Sequence, residues 1–453
     1  MRRLQASYAD IPPGQPVRLA KRTSNLFRPR AAAASGLDVS GLDGVISVDP
    51  VARTADVQGM CTYERLVDAT LASGLMPLVV PQLKTITLGG AVTGLGIEST
   101  SFRNGLPHES VLEMDVLTGD GRLITASPHE HSKLFGAFPN SYGSLGYAVR
   151  LRIELEPVHP YVALRHVRLD SLTDLASRLT EVCRTREHSG QRVDFVDGVM
   201  FTPDKTYLTL GRWCDNPTEA GLLHPSDYTG QSIYYRSVRE RGFDLLTVRD
   251  YLWRWDTDWF WCSGAFGAQR PLVRRIWPAR YRRSDVYHRL VGLENRYAVV
   301  ARLDRWRGRP ARERVVQDVE IPVERLADFL RWFAENVAMT PVWLCPLRLR
   351  ELAGPPSARE WPLYPLRPAQ LYVNVGFWGT VPIQPGRADG DVNRAVEAAV
   401  ADAGGHKSLY SDSYYDEPTF NATYGGHTYK QVKFDYDPDS RLTSLYDKAV
   451  RRR

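Results

Sequence analysis

Apolar and polar residues alternate along the first third of the chain with two different periods. Alternation with a period of two, interrupted by turn residues, predicts antiparallel hairpins, whereas apolar residues three and four positions apart predict an amphipathic helix. That helix is expected to end at Gly74, because glycine is favoured at helix C-termini. The predicted elements are hairpins over 43–58 and 111–125, a helix over 62–74, an apolar run over 75–81 and a strand over 147–157.

The pattern changes after Pro157, where the elements become longer and richer in aromatic residues. Two neighbouring strand patterns precede a stretch rich in Trp and Arg, and a later strand that ends at Pro322 leads into a helical pattern. The predicted strands of this part are 193–201, 206–213, 315–322, 341–349 and 370–378. Helices and antiparallel strands together indicate the α+β class.

Composition places the chain among globular proteins. It has 453 residues, of which 43% are apolar and 24% charged, and this length suggests two or three domains. Five scattered cysteines do not form a disulfide framework, and the N-terminal residues lack the apolar segment of a secretory signal. The longest apolar stretches are far shorter than the roughly 20 residues that span a bilayer. We therefore expect a cytoplasmic protein without a transmembrane helix.

Positive charge is concentrated in one stretch. Between Arg270 and Arg314 the chain has 14 arginines, no lysine and four acidic residues, a local net charge of +10 within a total of +6. Five aromatic residues, four of them Trp, lie just before it, within 253–261. Indole rings and guanidinium groups together are typical of surfaces that meet lipid headgroups. Residues 251–314 are therefore predicted to face an anionic membrane; a solvated basic face beside a Trp-rich core is an equal alternative, and nucleic acid is less favoured because no recognition motif is present.

A glycine-rich segment over 81–109 is the most informative part of the sequence. Glycines and hydroxyl residues alternate there with few charges, and such a loop brings backbone N–H groups close to a pyrophosphate. It lacks the third glycine of a Rossmann fingerprint, because Ser99 stands at that position, and it contains no Gly-Lys-Ser/Thr of a Walker loop. An ordinary glycine-rich turn is an equal alternative when the segment is considered alone.

The order of the motifs resembles the vanillyl-alcohol-oxidase (PCMH) type of FAD-binding oxidoreductases, and within it the 24-dehydrocholesterol (Delta(24)-sterol) reductases and their actinobacterial relatives. The motifs that carry the resemblance are GGAVTGLGIESTSFRNGL, GDGRLITASPHEHSKLF, GSLGYAV, VVQDVEIP, PVWLCPLRL and LYSDSYYDEPTF. It implies a two-domain flavoprotein: an FAD-binding domain over 1–157, a cap domain over 158–405 whose antiparallel sheet faces the flavin, and a C-terminal segment over 406–453 that returns to the flavin.

The resemblance also implies which residues hold FAD. Those that match the family's segments are Thr23, Ser24 and Asn25 in the first phosphate loop, Gly89, Gly90, Thr93, Gly94, Gly96, Ile97, Glu98 and Ser99 in the second, and Gly143, Gly146 and Val149 on the adenosine side. No histidine stands in KRTSNLF or among residues 81–107 of the glycine-rich segment, where covalent relatives attach the flavin, so we expect non-covalent FAD. No metal is expected, since His129-Glu130-His131 lacks the spacing of helical ligands.

Reduction of an isolated alkene needs a proton donor as well as a hydride, because no carbonyl polarises the double bond. Candidates come from segments that cover the ring in similar flavoproteins: Gln317, Cys345, Tyr410, Asp412 and Tyr414. The last three would share one face of an extended strand. Structural roles are the alternative, since tyrosines in strands usually pack with a satisfied hydroxyl and a lone cysteine is usually a buried apolar residue.

The resemblance and the basic stretch together favour a reductase of a carbon–carbon double bond in a lipid. High Arg and Ala with little Lys is typical of an actinobacterial source, whose relatives of this type reduce a methylene branch on a phospholipid acyl chain to a methyl branch. We therefore expect that substrate, NADPH as the reductant, a methyltransferase as partner enzyme, and peripheral contact with the inner face of the plasma membrane. The alternatives are a sterol or isoprenoid side chain, an FAD-dependent oxidase of an alcohol or sugar, and a non-enzymatic flavin-binding or lipid-surface adaptor.

Overall fold

The fold is an α+β arrangement of two antiparallel sheets with helices around them, taken from a computed structural model that describes residues 1–21, 27–28, 36–297, 302, 306–352 and 359–451. The helices are α1 Arg2–Ala9, α2 Tyr63–Leu71, α3 Leu88–Gly94, α4 Ser101–Asn104, α5 Ser132–Ala137, α6 Leu172–Thr185, α7 Tyr234–Glu240, α8 Val248–Leu252, α9 Pro271–Ile276, α10 Ser284–Tyr297, α11 Leu326–Asn336, α12 Asp391–Asp402, α13 Glu417–Thr423, α14 Gly426–Tyr436 and α15 Leu445–Ala449.

The longest strand of the first sheet alternates in burial as its sequence alternates in polarity, whereas central strands of the second sheet are buried along most of their length. The strands are β1 Val45–Asp49, β2 Thr54–Gln58, β3 Leu75–Pro77, β4 Val111–Leu117, β5 Leu123–Ala126, β6 Tyr147–Pro157, β7 Tyr161–Leu169, β8 Glu187–His188, β9 Gln191–Arg192, β10 Phe195–Thr202, β11 Lys205–Cys214, β12 Phe243–Thr247, β13 Arg312–Pro322, β14 Val342–Leu347, β15 Tyr372–Pro382 and β16 His406–Lys407. The predicted hairpins, the helix after Thr62 and the strand over 147–157 are confirmed.

The first sheet has six strands in the order β1-β2-β6-β4-β5, with β3 also paired to β6. Strand β6 is central, and it places Leu151 and Ile153 in the core. On its polar side the Arg150 guanidinium bridges the carboxylates of Asp56 and Glu113 on the two neighbouring strands. This sheet supports helix α3, because the Gly89 N–H donates to the Gly59 carbonyl just after β2.

The second sheet has eight strands in the order β12-β7-β11-β10-β14-β15-β13-β16. Its two faces are distinguished by the period-two pattern of β13. Val319 and Ile321 face a core built with helices α6 and α11, whereas Asp318 lies on the opposite face, opposite Gly376 of β15 in the pairing register. The second face is thus the one available to the glycine-rich part of the first domain.

The C-terminal segment returns to the first part of the chain. Lys433 in α14 donates to the Ser144 carbonyl at 2.8 Å, and the Arg28 guanidinium donates to the Lys448 carbonyl at 2.6 Å. The Phe27 N–H donates to the Tyr410 carbonyl at 3.0 Å. These bonds close the molecule around the space between the two sheets. Within the described residues, no helix combines the length and apolarity needed to cross a bilayer.

Candidate functional site

A cavity of about 990 Å³ lies between the glycine-rich segment and the face of the second sheet that carries Asp318. Its volume is at the upper end of the range for small-molecule and cofactor pockets. The first domain contributes residues from 81–97 and 142–148 to its lining. The second sheet and the segments that cross it contribute aromatic and acidic side chains: Trp259, Phe260, Trp343, Trp378, Tyr410, Asp285 and Asp318.

Helix α3 forms the glycine-rich wall. Its N-cap Thr87 accepts a hydrogen bond from the Gly90 N–H at 3.3 Å and another from the Lys21 ammonium at 3.0 Å. A Cβ on Gly89 would lie 2.7 Å from the Gly59 carbonyl oxygen, so the helix packs this closely on the first sheet only with glycine there. A Cβ on Gly94 would meet only the Tyr142 ring, at 3.4 Å. The helix therefore presents backbone rather than side chains to the cavity.

Seven of the eleven predicted FAD residues that the structure describes line this cavity: Gly89, Gly90, Thr93, Gly94, Gly96, Ile97 and Gly143. Basic side chains that sequence analysis did not select lie on the same lining: Arg18, Lys21, Arg28 and Lys448. Backbone N–H groups and cations suit a pyrophosphate, and the aromatic wall suits a planar ring system. The residues present therefore fit FAD. Thr23, Ser24 and Asn25 lie outside the described residues.

Four predicted FAD residues do not line the cavity. Glu98 is buried in an ion pair with Arg254, which also pairs with Asp197 at 2.8 Å. Burial raises the pKa of Glu98 despite that guanidinium. The Ser99 hydroxyl hydrogen bonds to the Tyr251 hydroxyl at 2.8 Å. Glu98 and Ser99 therefore attach the end of the loop to the segment that begins at Tyr251, where their side chains are out of reach of the cavity.

Gly146 and Val149 lie behind the cavity, where β6 begins. Gly146 has a positive φ of +143°, and a Cβ there would come within 2.8 Å of the Leu117 carbonyl oxygen on the paired strand. Val149 packs in a separate apolar cluster with Leu4 and Val17. Both residues hold the backbone of this region in place rather than contributing side chains to the lining.

The acid–base group of the cavity is built around Asp318 and Tyr410. Asp318 accepts a hydrogen bond from the Asn374 amide at 3.1 Å, and the Tyr410 hydroxyl lies near its carboxylate. Desolvation nevertheless raises the pKa of Asp318 to about 6. The pKa of Tyr410 is also raised, first by desolvation and then by the nearby Asp318 carboxylate. A carboxyl group whose pKa is raised to about 6 thus lies beside a phenol on the cavity wall.

Trp378 fixes the orientation of this phenol. Its indole N–H donates to the Tyr410 hydroxyl oxygen at 2.8 Å, which leaves the hydroxyl proton for Asp318 or a bound molecule. The indole occupies space that only a glycine at 376 leaves open, because a Cβ there would lie 2.7 Å from the Trp378 ring. Asn374, Gly376 and Trp378 alternate along β15 and so share the face of Asp318.

Gln317 and Cys345 are not among the residues that line the cavity. Gln317 neighbours Asp318 in the strand and therefore points to the opposite face, where it is buried and donates to the Asn393 side chain at 2.6 Å. Cys345 lies on the same face of the sheet as the cavity but is fully buried by its neighbours. Desolvation raises the pKa of its thiol well above the ordinary value. The missed residue, Asp318, had a signal in the sequence: an acid inside the apolar-rich strand pattern VVQDVEIP, two residues before Glu320.

The segment that contains Tyr410, Asp412 and Tyr414 is not a strand, so that prediction is wrong. Strand β16 ends at Lys407, and the Ser408 N–H still donates to the Asp318 carbonyl of β13 at 3.0 Å. Beyond it, the Ser413 N–H donates to the Ala449 carbonyl in helix α15 and the Tyr414 N–H to the Glu397 carboxylate. Asp412 pairs with Arg314 at 2.8 Å, and the Tyr414 ring lies beneath the Arg394 guanidinium. Of the three, only Tyr410 lines the cavity.

The tryptophan cluster forms part of the cavity wall rather than a surface. Trp253, Trp255, Trp259 and Phe260 are each at most 5% exposed. Phe260 lies against Trp378 with ring centroids 4.4 Å apart, and Trp259 stacks on Phe27 at 5.5 Å. Trp259 and Phe260 both have positive φ angles, +46° and +59°, a strained conformation for bulky residues that persists where the surroundings enforce it. The prediction that these rings face a membrane is therefore wrong: they are used to build the site.

Comparison with known proteins agrees with this geometry. The sequence profile of a family described as an FAD binding domain matches residues 13–127. The chain is 24% identical to the Delta(24)-sterol reductase of Homo sapiens over 417 residues, 90% of this chain and 76% of that protein. It is 24% identical over 444 residues, 92% of this chain and 79% of the relative, to a Delta(24)-sterol reductase homolog of Caenorhabditis elegans. Cytokinin dehydrogenase 10 of Oryza sativa subsp. japonica is 34% identical over 155 residues, 34% of this chain and 27% of that protein.

The fold, the glycine-rich wall and the matched profile define an FAD-binding oxidoreductase, with the FAD-binding profile covering residues 13–127. Within that class, the chain is similar over most of its length to proteins named Delta(24)-sterol reductase.

Proposed function

We propose that the protein is an FAD-dependent reductase of an isolated carbon–carbon double bond in a lipid. The observation that carries the proposal is the Tyr410 hydroxyl, which lies on the cavity wall between the Asp318 carboxyl and the Trp378 indole. An oxidase of an alcohol needs a base at this position, whereas alkene reduction needs an acid. A carboxyl group with a pKa of about 6, beside a phenol, is suited to hold the proton.

FAD, when bound in this cavity, would supply a hydride to one carbon of the double bond. The other carbon must then receive a proton, which we assign to the Tyr410 hydroxyl. Trp378 prevents that hydroxyl from rotating its proton towards the indole, since an N–H cannot accept. Protonated Asp318, which lies beside it, restores the proton of Tyr410. The aromatic wall excludes water and leaves the relay as the source of the proton.

The finer proposal is that the substrate is a methylene-branched acyl chain of a phospholipid, reduced to the methyl-branched chain of tuberculostearic type. Its support is Arg289, which lines the cavity from helix α10 and has a side chain 71% exposed, so it stands where the cavity opens to solvent. Its guanidinium pairs with Asp285 at 3.2 Å on the same helix, and a phosphate is the kind of anion that could take the place of that carboxylate. The methylene branch must come from an enzyme that adds one carbon to an unsaturated chain, and we propose a methyltransferase as that partner.

A sterol or isoprenoid side chain is the second candidate, and the comparisons favour it, since the relatives that cover most of the chain are named for a Delta(24)-sterol. The aromatic lining suits either an acyl chain or a sterol side chain. The two differ in their polar ends, because a sterol has a hydroxyl where a phospholipid has a phosphate. NADPH is the proposed reductant for both.

An anaerobic single-turnover experiment tests the proposal. The FAD-loaded protein is first reduced with NADPH and then mixed with a methylene-branched phospholipid, with a Delta(24)-sterol, or with neither. Flavin reoxidation by the phospholipid alone, with a saturated product, supports the finer proposal, whereas reoxidation by the sterol alone supports the second candidate. Reoxidation by neither lipid, together with oxygen uptake in the presence of an alcohol or sugar, would overturn double-bond reduction.

A further inference from the structure

We propose that residues 270–281 form a rigid docking surface for an anionic phospholipid bilayer, located beside the cavity. The segment contains helix α9 and the turn that follows it. This surface is different from the tryptophan cluster, whose rings are buried. The proposal does not depend on which reaction the cavity catalyses.

Apolar side chains project from this segment into solvent. Leu272 and Ile276 are 80% and 79% exposed, and they are four positions apart, so they lie on the same face of the helix. Tyr281 is 46% exposed. Single exposed apolar residues are common, but two aliphatic side chains on one face with a neighbouring tyrosine have the composition of an interfacial segment.

Arginines divide into two groups along the same stretch. Residues 270–284 include six arginines and no acidic residue. Arg274 is buried against both carboxylate oxygens of Asp258, at 2.7 and 3.1 Å, and Arg282 donates to backbone carbonyls that include that of Thr229 at 2.9 Å. Arg283 pairs with Glu64 at 2.8 Å. These inward arginines anchor the segment, so it cannot turn to bury Leu272 and Ile276.

The outward group is Arg270, Arg275 and Arg280. All three are exposed, and no ion pair joins them to a carboxylate in the part of the chain that the structure describes. Guanidinium groups bind phosphate bidentately, and aliphatic side chains between them can enter the acyl boundary. Positive charge around an apolar centre is therefore complementary to an anionic bilayer. Nucleic acid would use the arginines but leave the aliphatic side chains without a role.

The surface adjoins the cavity through the next helix. Helix α10 begins at Ser284, three residues beyond Tyr281, and its residues Asp285, His288 and Arg289 line the cavity. Docking of 270–281 would place this side of the cavity close to the headgroups. A lipid could then enter the cavity without passing fully through water, which for an acyl chain is strongly unfavourable.

Cosedimentation with vesicles tests the proposal. The full chain is mixed with vesicles of phosphatidylcholine alone or with phosphatidylglycerol added, at low and high salt. We expect pelleting with the anionic vesicles that weakens in high salt, since the arginine contribution is screened. The double variant Leu272→Ser/Ile276→Ser should lower the vesicle partition coefficient by at least about tenfold, and Arg275→Gln/Arg280→Gln should remove the preference for anionic lipid.

Controls separate this surface from general effects. Leu223→Ser, at an equally exposed leucine elsewhere, and Arg387→Gln should pellet as the wild type does. Thermal unfolding of each variant confirms that it folds, and turnover of detergent-dispersed substrate should be unchanged, so loss of docking is distinguishable from loss of the reaction. Equal pelleting of the wild type and the Leu272/Ile276 variant would overturn the proposal. So would binding to a DNA duplex that depends on the arginines alone, in the absence of vesicle binding.

Discussion

The Trp378 indole N–H donates to the Tyr410 hydroxyl oxygen at 2.8 Å, across the gap between strand β15 and the segment that follows β16. The bond joins two parts of the chain that are 32 residues apart. It determines which way the phenol proton points, and the Asp318 carboxyl lies on the other side. A proton relay thus depends on an indole that takes no part in proton transfer itself.

Tyr410→Phe should slow double-bond reduction by about 10²-fold or more, because the variant has no proton to donate. FAD binding should be unchanged, since the ring remains. Single-turnover reoxidation of the reduced flavin measures the effect. Tyr414→Phe is the matched variant and should retain the wild-type rate, because this ring packs beneath Arg394 outside the cavity. A wild-type rate in Tyr410→Phe would remove this phenol from the mechanism.

The rate of reduction should depend on the protonation of Asp318. The pKa of this carboxyl is raised to about 6, so the protonated form that restores Tyr410 predominates below that pH and is lost above it. We expect kcat/KM to fall about tenfold per pH unit above pH 6. In Asp318→Asn this dependence should be absent and the rate low throughout. A wild-type pH profile in Asp318→Asn would assign the titration to another group.

The same carboxyl should affect stability. Its pKa is higher in the folded protein than the roughly 3.9 of an unfolded chain, so ionisation disfavours the fold and stability falls as pH rises from about 4 to about 6. Two pKa units correspond to an upper limit of about 3 kcal/mol. Asp318→Asn should therefore be more stable than the wild type at pH 7 and similar at pH 4, as measured by urea unfolding. Equal differences at both pH values would contradict the linkage.

Much of the fold could be predicted from the chain because its strands alternate cleanly. Strand β6 occupies the same 147–157 that the pattern predicts, and the hairpins at 43–58 and 111–125 pair as expected. Strand β7 and helix α6 were not predicted. In the segment after β16 the pattern was misleading, because Tyr410, Asp412 and Tyr414 are spaced as in a strand but have no neighbouring strand to pair with.

The site was predicted in part. The glycine-rich wall could be predicted because the glycines and hydroxyl residues that indicate a phosphate-binding loop all lie within one short segment of the chain. The position of Asp318 depends on register: Gln317 and Asp318 are adjacent and point to opposite faces, and the pairing with β15 places Asp318 on the face of Gly376 and Trp378. The role of Trp259 and Phe260 depends on two left-handed backbone conformations that their residue types do not favour. Composition alone therefore suggested a membrane surface where the structure has a cavity wall.

Arg254 is expected to be critical for stability. It is buried between Glu98 and Asp197, so Arg254→Met would leave two carboxylates buried without a cation. We expect a loss of about 3–5 kcal/mol in the free energy of unfolding at pH 7. The exposed pair of Arg331 and Asp328 is the matched control, and Arg331→Met should cost at most about 1 kcal/mol. Similar losses at the two sites, measured by denaturant unfolding, would count against the anchoring role of Glu98.

FAD should bind tightly but without a covalent bond. The described residues that line the cavity include one histidine, His288, and no cysteine, and His288 packs against both rings of the Phe27–Trp259 stack. Acid precipitation should therefore release the yellow chromophore into the supernatant, and colour that stays with the pellet of the wild type but not of His288→Ala would instead identify an attachment site.

Gly94→Val should abolish flavin uptake, because its methyl groups would occupy space next to the backbone. Gly94→Ala, whose Cβ meets only the Tyr142 ring at 3.4 Å, should fold and retain part of the flavin, and full uptake by the valine variant would show that the flavin does not approach this wall.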